Sequence, residues 1–331
     1  MTEQAPHPFD SLTPDFILDT VERLDYITDG RLMALNSYEN RVYQIGIEDS
    51  DPIIAKYYRP DRWSDEAILE EHEFCFELAN NELPVVAPLV NEDGLSLFHH
   101  GEFRFALYAR KGGRTPDIDN LNNLLVLGRL LGRIHLIGAT HAFVDRPAID
   151  CQTFGYDPVA LVRRKFIPSD LAIAYESLVN DLLSKLDSIF SEAGDLHQIR
   201  VHGDCHSGNI LWRSDTPHFV DFDDARMAPA VQDIWMLLSG DRERQTAQLV
   251  EILEGYAEFY DFRPQELRLI EALRTLRLLH YNGWLAARWD DPAFPRTFTW
   301  FNGPRYWEQH ILDLREQYAA LDEPPLRVFG P

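Results

Sequence analysis

Residues 200–224 read RVHGDCHSGNILWRSDTPHFVDFDD. A polar knot, His202-Gly203-Asp204-Cys205-His206-Ser207-Gly208-Asn209, leads into the apolar run Ile210-Leu211-Trp212. A turn follows, then a second strand-like run, Phe219-Val220-Asp221-Phe222-Asp223-Asp224. Two short apolar segments joined through turn residues read as a β-hairpin, and acidic groups border both. Folds that mix α and β structure place chemistry, rather than packing, at such strand ends. The rest of the chain is therefore read for what it supplies to this stretch.

Upstream, residues 1–12 look like a loose polar leader. Phe16, Ile17, Val21 and Leu24 then recur at helical spacing over 14–24. Residues 41–47 alternate with period two, Glu48-Asp49-Ser50-Asp51 makes an acidic turn, and 53–58 read as the partner strand. Ser64-Asp65-Glu66 opens a helix through about Leu78, with acids in its first turns. Proline keeps 83–88 extended, and 95–99 and 103–109 are two more strands. After Gly112-Gly113 the pattern turns helical, over 121–137 and 171–190, and beyond the knot over 231–238, 245–260, 264–289 and 304–321. The expected fold class is α+β and bilobal. A small antiparallel β lobe with one inserted helix occupies 1–110, a larger and mostly helical lobe occupies 111–331, and a cleft lies between them.

The chain of 331 residues carries 54 acidic against 31 basic side chains, a formal net charge of −23. Such a surface repels phosphate backbones and anionic lipid, so neither nucleic acid nor membrane is an expected partner. It suits cationic substrates, or solubility alone. Cys75, Cys151 and Cys205 are odd in number and far apart, which argues against a disulfide framework and for a reducing compartment. The first ten residues lack a signal pattern, and Arg129, Arg133 and His135 interrupt the most apolar long segment, 121–138. A cytoplasmic location is expected.

Phosphoryl transfer needs a carboxylate near the attacking hydroxyl and oxygen ligands for a magnesium ion on the phosphates. Asp204 and Asn209 have the Asp-x-x-x-x-Asn spacing of a kinase catalytic loop. Asp221, twelve positions on, ends a strand and offers a second carboxylate. The bland reading is a polar hairpin whose Asp and Asn satisfy local backbone; the flanking His-Gly and Val-Asp-Phe-Asp-Asp count against it. Lys56 closes Ile53-Ile54-Ala55-Lys56 and suits nucleotide phosphates, although a strand lysine can also snorkel outward. Among Glu70, Glu71 and Glu73, Glu71 fits best as its partner, because Phe74 and Leu78 mark the buried face. No Gly-x-Gly-x-x-Gly precedes Lys56. Asn36-Ser37-Tyr38-Glu39-Asn40-Arg41 holds that place, where backbone N–H groups and the Ser37 hydroxyl can meet phosphate with less freedom than glycine allows. A binuclear metal hydrolase is the rival suggested by His202-x-Asp204-x-His206. It needs an upstream Asp-x-His, whereas Asp195-Leu196-His197 is too near, and a histidine after Gly-Asn, where Ile210 stands. His202 is read as a loop-orienting residue.

Together, Ile-Ala-Lys, His-Gly-Asp-x-x-x-x-Asn and Val-Asp-Phe-Asp-Asp resemble the aminoglycoside phosphotransferase and choline kinase-like family. The strings Leu35-Asn36-Ser37-Tyr38-Glu39-Asn40-Arg41-Val42-Tyr43-Gln44, Asp233-Ile234-Trp235-Met236-Leu237-Leu238 and Trp289-Asp290-Asp291-Pro292-Ala293-Phe294-Pro295 narrow the resemblance to a branch of bacterial stress-response kinases. The resemblance implies a bilobal protein-kinase-like fold and phosphorylation of serine or threonine in protein substrates, using ATP and Mg2+; a monomer is expected, although no sequence pattern reads the oligomeric state. It implies Asp204 as the proton acceptor, and Asn209 and Asp221 as Mg2+ ligands. Ser37 falls in the ATP loop, Lys56 (paired with Glu71) on the α- and β-phosphates, and Ala109 to Lys111 at the adenine. Asp233 braces the catalytic loop. A small-molecule kinase acting on choline, a sugar or an aminoglycoside is the alternative. A pseudokinase is disfavoured, since Lys56, Asp204, Asn209 and Asp221 are all present. Asp223 and Asp224 carry no assigned role.

Overall fold

The computed structural model describes residues 8–194 and 196–328. In chain order its strands are β1 (Thr28–Ala34), β2 (Arg41–Ile47), β3 (Ile53–Tyr57), β4 (Phe98–His100), β5 (Phe103–Ala109), β6 (Ile199–Val201), β7 (Ile210–Arg213), β8 (Thr216–Phe219) and β9 (Arg226–Ala228). The helices are α1 (Pro14–Glu22), α2 (Asp65–Asn80), α3 (Leu121–Gly138), α4 (Asp157–Lys165), α5 (Ala172–Glu192), α6 (Val231–Trp235), α7 (Arg242–Tyr256), α8 (Ile270–Ala287), α9 (Ala293–Thr297) and α10 (Pro304–Ala320). Two compact units emerge: Met1–Pro116 with Val144–Arg146 and Gly208–Asp224, and Asp117–Phe143 with Pro147–Ser207 and Ala225–Pro331.

The first unit is built on an antiparallel sheet of order β1-β2-β3-β5-β4. Alternation along β3 turns Ala55 and Tyr57 into an apolar cluster with Ile17 and Val21 of α1 and Phe103 and Phe105 of β5. Tyr57 and Phe105 stack at 5.2 Å. The same alternation leaves Lys56, opposite Ala106, on the other face. Ser64 accepts the Ala67 N–H at 3.1 Å and starts α2 there. The hairpin β7–β8 joins this unit through Val86 N–H to Phe219 O at 3.1 Å and Trp212 N–H to Arg114 O at 2.7 Å.

Part of the leader expected over 1–12 lies outside the described residues. In the remainder, Phe9 and Leu12 are buried in the same apolar cluster, so that part is docked rather than loose. The strand β1 is unanticipated; it is largely exposed and contains Gly30, so it shows no alternation. The strand expected over 95–99 is displaced to Phe98–His100, and Leu95 is exposed.

In the second unit, α3 and α7 approach through small residues. A Cβ on Gly128 would stand 2.1 Å from Ile252 O, and one on Gly255 2.2 Å from Leu125 O. Only glycine permits this spacing. It brings His135 of α3 against Tyr256 of α7, Nδ1 to Oη 2.8 Å. Asp241 accepts the Arg244 N–H at 2.9 Å, so α7 begins before the expected 245. The long helix expected over 264–289 is a 3-10 turn, Pro264–Leu269, followed by α8. No helix among the described residues is long and apolar enough to cross a membrane.

Candidate active site

Lys56 is 6% exposed and lies in a cluster of carboxylates. Its Nζ is 2.9 Å from Asp223 Oδ1, 3.3 Å from Asp221 Oδ1 and 3.6 Å from Glu71 Oε1. Burial is the largest single influence on the ammonium and acts to lower its pKa. The attraction of Asp223, Glu71 and Asp221 outweighs it, so the pKa stands well above the usual lysine value. Glu71 is pushed up, chiefly by burial, against the pull of Lys56. Burial also opposes ionisation of Asp223, yet Arg62 and Lys56 bring it down to about 2. Arg62 bonds to Asp223 and reaches Asp224 Oδ1 at 2.6 Å. Arg146 donates to Ala67 O at 2.7 Å and to Asp223 O, and stands 3.7 Å from Glu71 Oε2. Buried charges persist only when paired this densely.

The three candidate glutamates of α2 separate cleanly. Glu71 is buried beside Lys56, and Glu73 is exposed. Glu70 accepts the backbone N–H groups of Val144, Asp145 and Arg146 at 2.5, 3.0 and 3.0 Å. It therefore ties 144–146 to this unit and presents Arg146 to the cluster.

Within the first unit a cleft of about 250 Å³ opens at this cluster. Val42, Ile54, Val86 and Leu211 give it apolar walls, and Ser37, Lys56, Asp221, Ala109 and Lys111 line it as well. The glycine-free loop at its edge is held from outside. Asn40 Oδ1 accepts the Arg59 N–H at 3.0 Å, while Arg59 donates to Glu39 O at 2.9 Å and Tyr38 O at 3.1 Å. Tyr108 also lines the cleft; its Oη contacts Tyr58 Oη at 3.1 Å, Tyr58 Oη contacts His72 Nε2 at 2.8 Å, and His72 Nδ1 contacts Ser96 Oγ at 2.8 Å. Burial takes the His72 imidazole down to about 3.

Asp221 has φ 62°, a left-handed conformation that few side chains adopt and Asp tolerates, and its side chain is 57% exposed. Asn209 O accepts the Val220 N–H at 3.0 Å, so the hairpin brings Asn209 opposite the residue before Asp221. A carboxylate and an amide oxygen are donors of the hard-oxygen type that suits Mg2+ bound together with substrate phosphates. Among the described residues no three or more His, Cys, Asp or Glu gather as a metal site by themselves.

In the second unit, β6 delivers the polar knot to Asp233 at the start of α6. Asp233 Oδ2 accepts the His202 N–H at 2.8 Å and His135 Nε2 at 3.0 Å, and Oδ1 accepts the Gly203 N–H at 2.9 Å. Burial works against the Asp233 carboxylate, but its bond to His135 and the pull of that ring hold its pKa below the usual value. Gln232 Nε2 donates to Gly203 O at 2.9 Å, and Asp204 N–H to His202 Nδ1 at 3.4 Å. His202 therefore stands between Asp233, which its backbone N–H meets, and Asp204, whose N–H meets its ring. Asp204 Oδ1 accepts from Arg277 Nη1 at 2.5 Å, and Oδ2 lies 3.5 Å from His206 Nε2.

Arg62, Arg146 and Arg277 are absent from the sequence reading. Their partners lie far along the chain, and no local spacing announces them. Asp223 now has a place, as an ion-pair partner of both Lys56 and Arg62.

The sequence profile of the phosphotransferase enzyme family matches residues 32–270. Stress response kinase A of Escherichia coli (strain K12) is 44% identical over 321 residues, 97% of each chain. Serine/threonine protein kinase RdoA of Salmonella typhimurium (strain LT2) is 43% identical over the same share. Among solved structures, the amicoumacin kinase hAmiN in complex with AMP-PNP, Ca2+ and Ami superposes with a TM-score of 0.71 at 18% identity, covering 96% of this chain and 95% of the other. A microcompartment-associated aminopropanol kinase gives 0.70 at 16% identity, covering 95% and 100%. These likenesses show a shared fold, the mixed α+β kinase-like fold expected from the sequence.

Proposed function

The chain belongs to the phosphotransferase enzyme family, and from that premise we propose that it moves the γ-phosphoryl group of ATP to serine or threonine hydroxyls of proteins. The observation that carries the nucleotide part is Lys56, held by Glu71, Asp221 and Asp223 at the edge of an apolar cleft. The apolar walls suit a purine. The backbone from Ala109 to Lys111 offers it polar edges, and Lys56 and Ser37 take the phosphates. Asp221 and Asn209 hold Mg2+, which neutralises charge on the phosphoryl oxygens. Asp204 accepts the acceptor's proton as its oxygen bonds to the γ-phosphorus and the bond to ADP breaks. The protein acceptor is supported by the name of the relative at 43% identity, and the stress-response setting by that of the relative at 44%; a cytoplasmic location and a monomeric state belong to the proposal.

A small-molecule acceptor is the second reading, favoured by structural neighbours named as amicoumacin and aminopropanol kinases. Incubation with labelled ATP, a generic protein and a panel of small alcohols separates the two. Label in protein supports the first, and label confined to an alcohol overturns it. Asp204→Ala is expected to abolish transfer while keeping Mg-ATP binding; normal turnover in that variant removes Asp204 from its role.

A further inference from the structure

The carboxylate assigned to the acceptor hydroxyl is already in contact with a guanidinium. Arg277, in the middle of α8, donates from Nη1 to Asp204 Oδ1 at 2.5 Å, and its side chain is 42% exposed. A guanidinium has five N–H donors in a rigid fork, and the bond to Asp204 uses one of them. His206 Nε2 lies 3.5 Å from the second Asp204 oxygen. Arg274, one turn earlier on α8, is paired with Glu271 at 2.8 Å and leans over Trp235 at 5.5 Å. One and two turns beyond Arg277 stand Tyr281 and Trp284, uncharged and stacked at 5.8 Å.

This arrangement runs against the charge of the chain. A formal net charge of −23 draws cations in general, and an unpaired carboxylate base would draw an ammonium-bearing alcohol in particular. Arg277 cancels that attraction at the carboxylate and offers donors to an oxyanion instead.

We propose that Arg277 is a specificity-determining residue that disfavours acceptors carrying an ammonium group beside the hydroxyl and selects hydroxyls flanked by an oxyanion. In a protein substrate this means a serine or threonine next to Asp, Glu or a phosphorylated residue. The inference rests on the reading of Asp204 as the base, and it builds discrimination through an unfavourable contact as well as a favourable one.

The test uses the full chain, Mg-ATP and serine peptides that differ only in flanking Glu, phosphoserine, Ala or Lys. A parallel series uses glycerate, glycerol and 3-amino-1,2-propanediol. The ratio of kcat/KM for the Glu peptide over the Lys peptide is expected to be about tenfold, since each half-exposed charge contributes about threefold and the two factors multiply. Arg277→Gln should bring the ratio to one or below, Arg277→Glu should invert it more strongly, and Arg277→Lys should keep its direction. The phosphoserine arm tells whether a phosphate serves better than a carboxylate. An unchanged ratio in Arg277→Gln, a wild-type preference for the Lys peptide, or an equal loss on every acceptor in all three variants overturns the proposal. If label enters only the alcohols, the protein-kinase reading fails, and the glycerate to aminopropanediol ratio still judges Arg277. If Asp204→Ala turns over normally, the base assignment fails by that measurement, separately from the ratio.

Discussion

Lys56 Nζ stands closer to Asp223 Oδ1, at 2.9 Å, than to Glu71 Oε1, at 3.6 Å. The acid two residues beyond Asp221 is thus the nearer partner of the strand lysine, and it also bonds Arg62. Asp223→Asn leaves two buried cations short of one charge. Breaking a buried pair in this way costs about 3–5 kcal/mol. Asp224→Asn, with a side chain 35% exposed, should cost no more than about 1 kcal/mol. Urea denaturation of both variants checks this, and equal losses would remove Asp223 from its central place.

Asp233 uses both carboxylate oxygens to hold consecutive backbone N–H groups, those of His202 and Gly203, immediately before Asp204. Asp233→Asn keeps the volume but puts an amide N–H where an acceptor is needed. Displacing a reacting group by about 1 Å can cost about 10²-fold in rate. Steady-state kinetics should therefore show kcat down by about that factor while KM for the nucleotide stays within about threefold. A wild-type kcat would make the brace dispensable.

The parts of the fold legible in the sequence share one property: their signal is local. Expected and observed bounds coincide for β2 (Arg41–Ile47) and β5 (Phe103–Ala109), where apolar and aromatic residues alternate approximately along the sequence. The strand β1 escapes, because an exposed edge strand has no face to bury and leaves no period. A short element such as α9, of five residues, holds too few turns for a 3.6-residue period to emerge. In the candidate site, Asn209 and Asp221 are readable as neighbours because one hairpin joins them. Arg62, Arg146 and Arg277 are not. Arg62 meets Asp223 across 161 positions, Arg146 meets the same residue across 77, and Arg277 meets Asp204 across 73. Complementary charge at such separation leaves no periodic trace.

Two buried histidines make stability depend on pH. Burial lowers His72 to about 3 and His310 to about 4, below the ordinary value of about 6.5. Between those limits the unfolded chain binds protons that the folded chain refuses, so stability falls as pH falls from about 6.5. The slope is about 1.4 kcal/mol per pH unit for each histidine. Glu71, raised by burial, opposes this, since its folded form takes up a proton more readily than its unfolded form. Urea midpoints from pH 7 to pH 4.5 should decline, and His72→Gln should reduce the slope by about one proton's worth. An identical slope in that variant would show that His72 is not a source of the dependence.

Metal and nucleotide should bind as a coupled pair. Asp221 Oδ1 is 3.3 Å from Lys56 Nζ, so a metal ion that takes this carboxylate displaces an ion pair with the lysine. The proposed protein ligands, Asp221 and Asn209, are too few to fill the six-coordinate oxygen shell that Mg2+ requires. ATP phosphates meet both needs, because they complete the shell and give Lys56 new anionic partners. Asp223 and Glu71, at 2.9 and 3.6 Å, remain as partners of Lys56 when Asp221 is taken by the metal. Titration calorimetry should therefore find Mg2+ binding only at millimolar concentration to the protein alone, and at least about tenfold tighter with a non-hydrolysable ATP analogue present. By reciprocity Mg2+ should tighten the analogue by the same factor. Asp221→Asn should abolish most of that coupling while leaving metal-free nucleotide binding within about threefold. Tight Mg2+ binding in the absence of nucleotide, or full coupling in Asp221→Asn, would mean that other groups hold the ion.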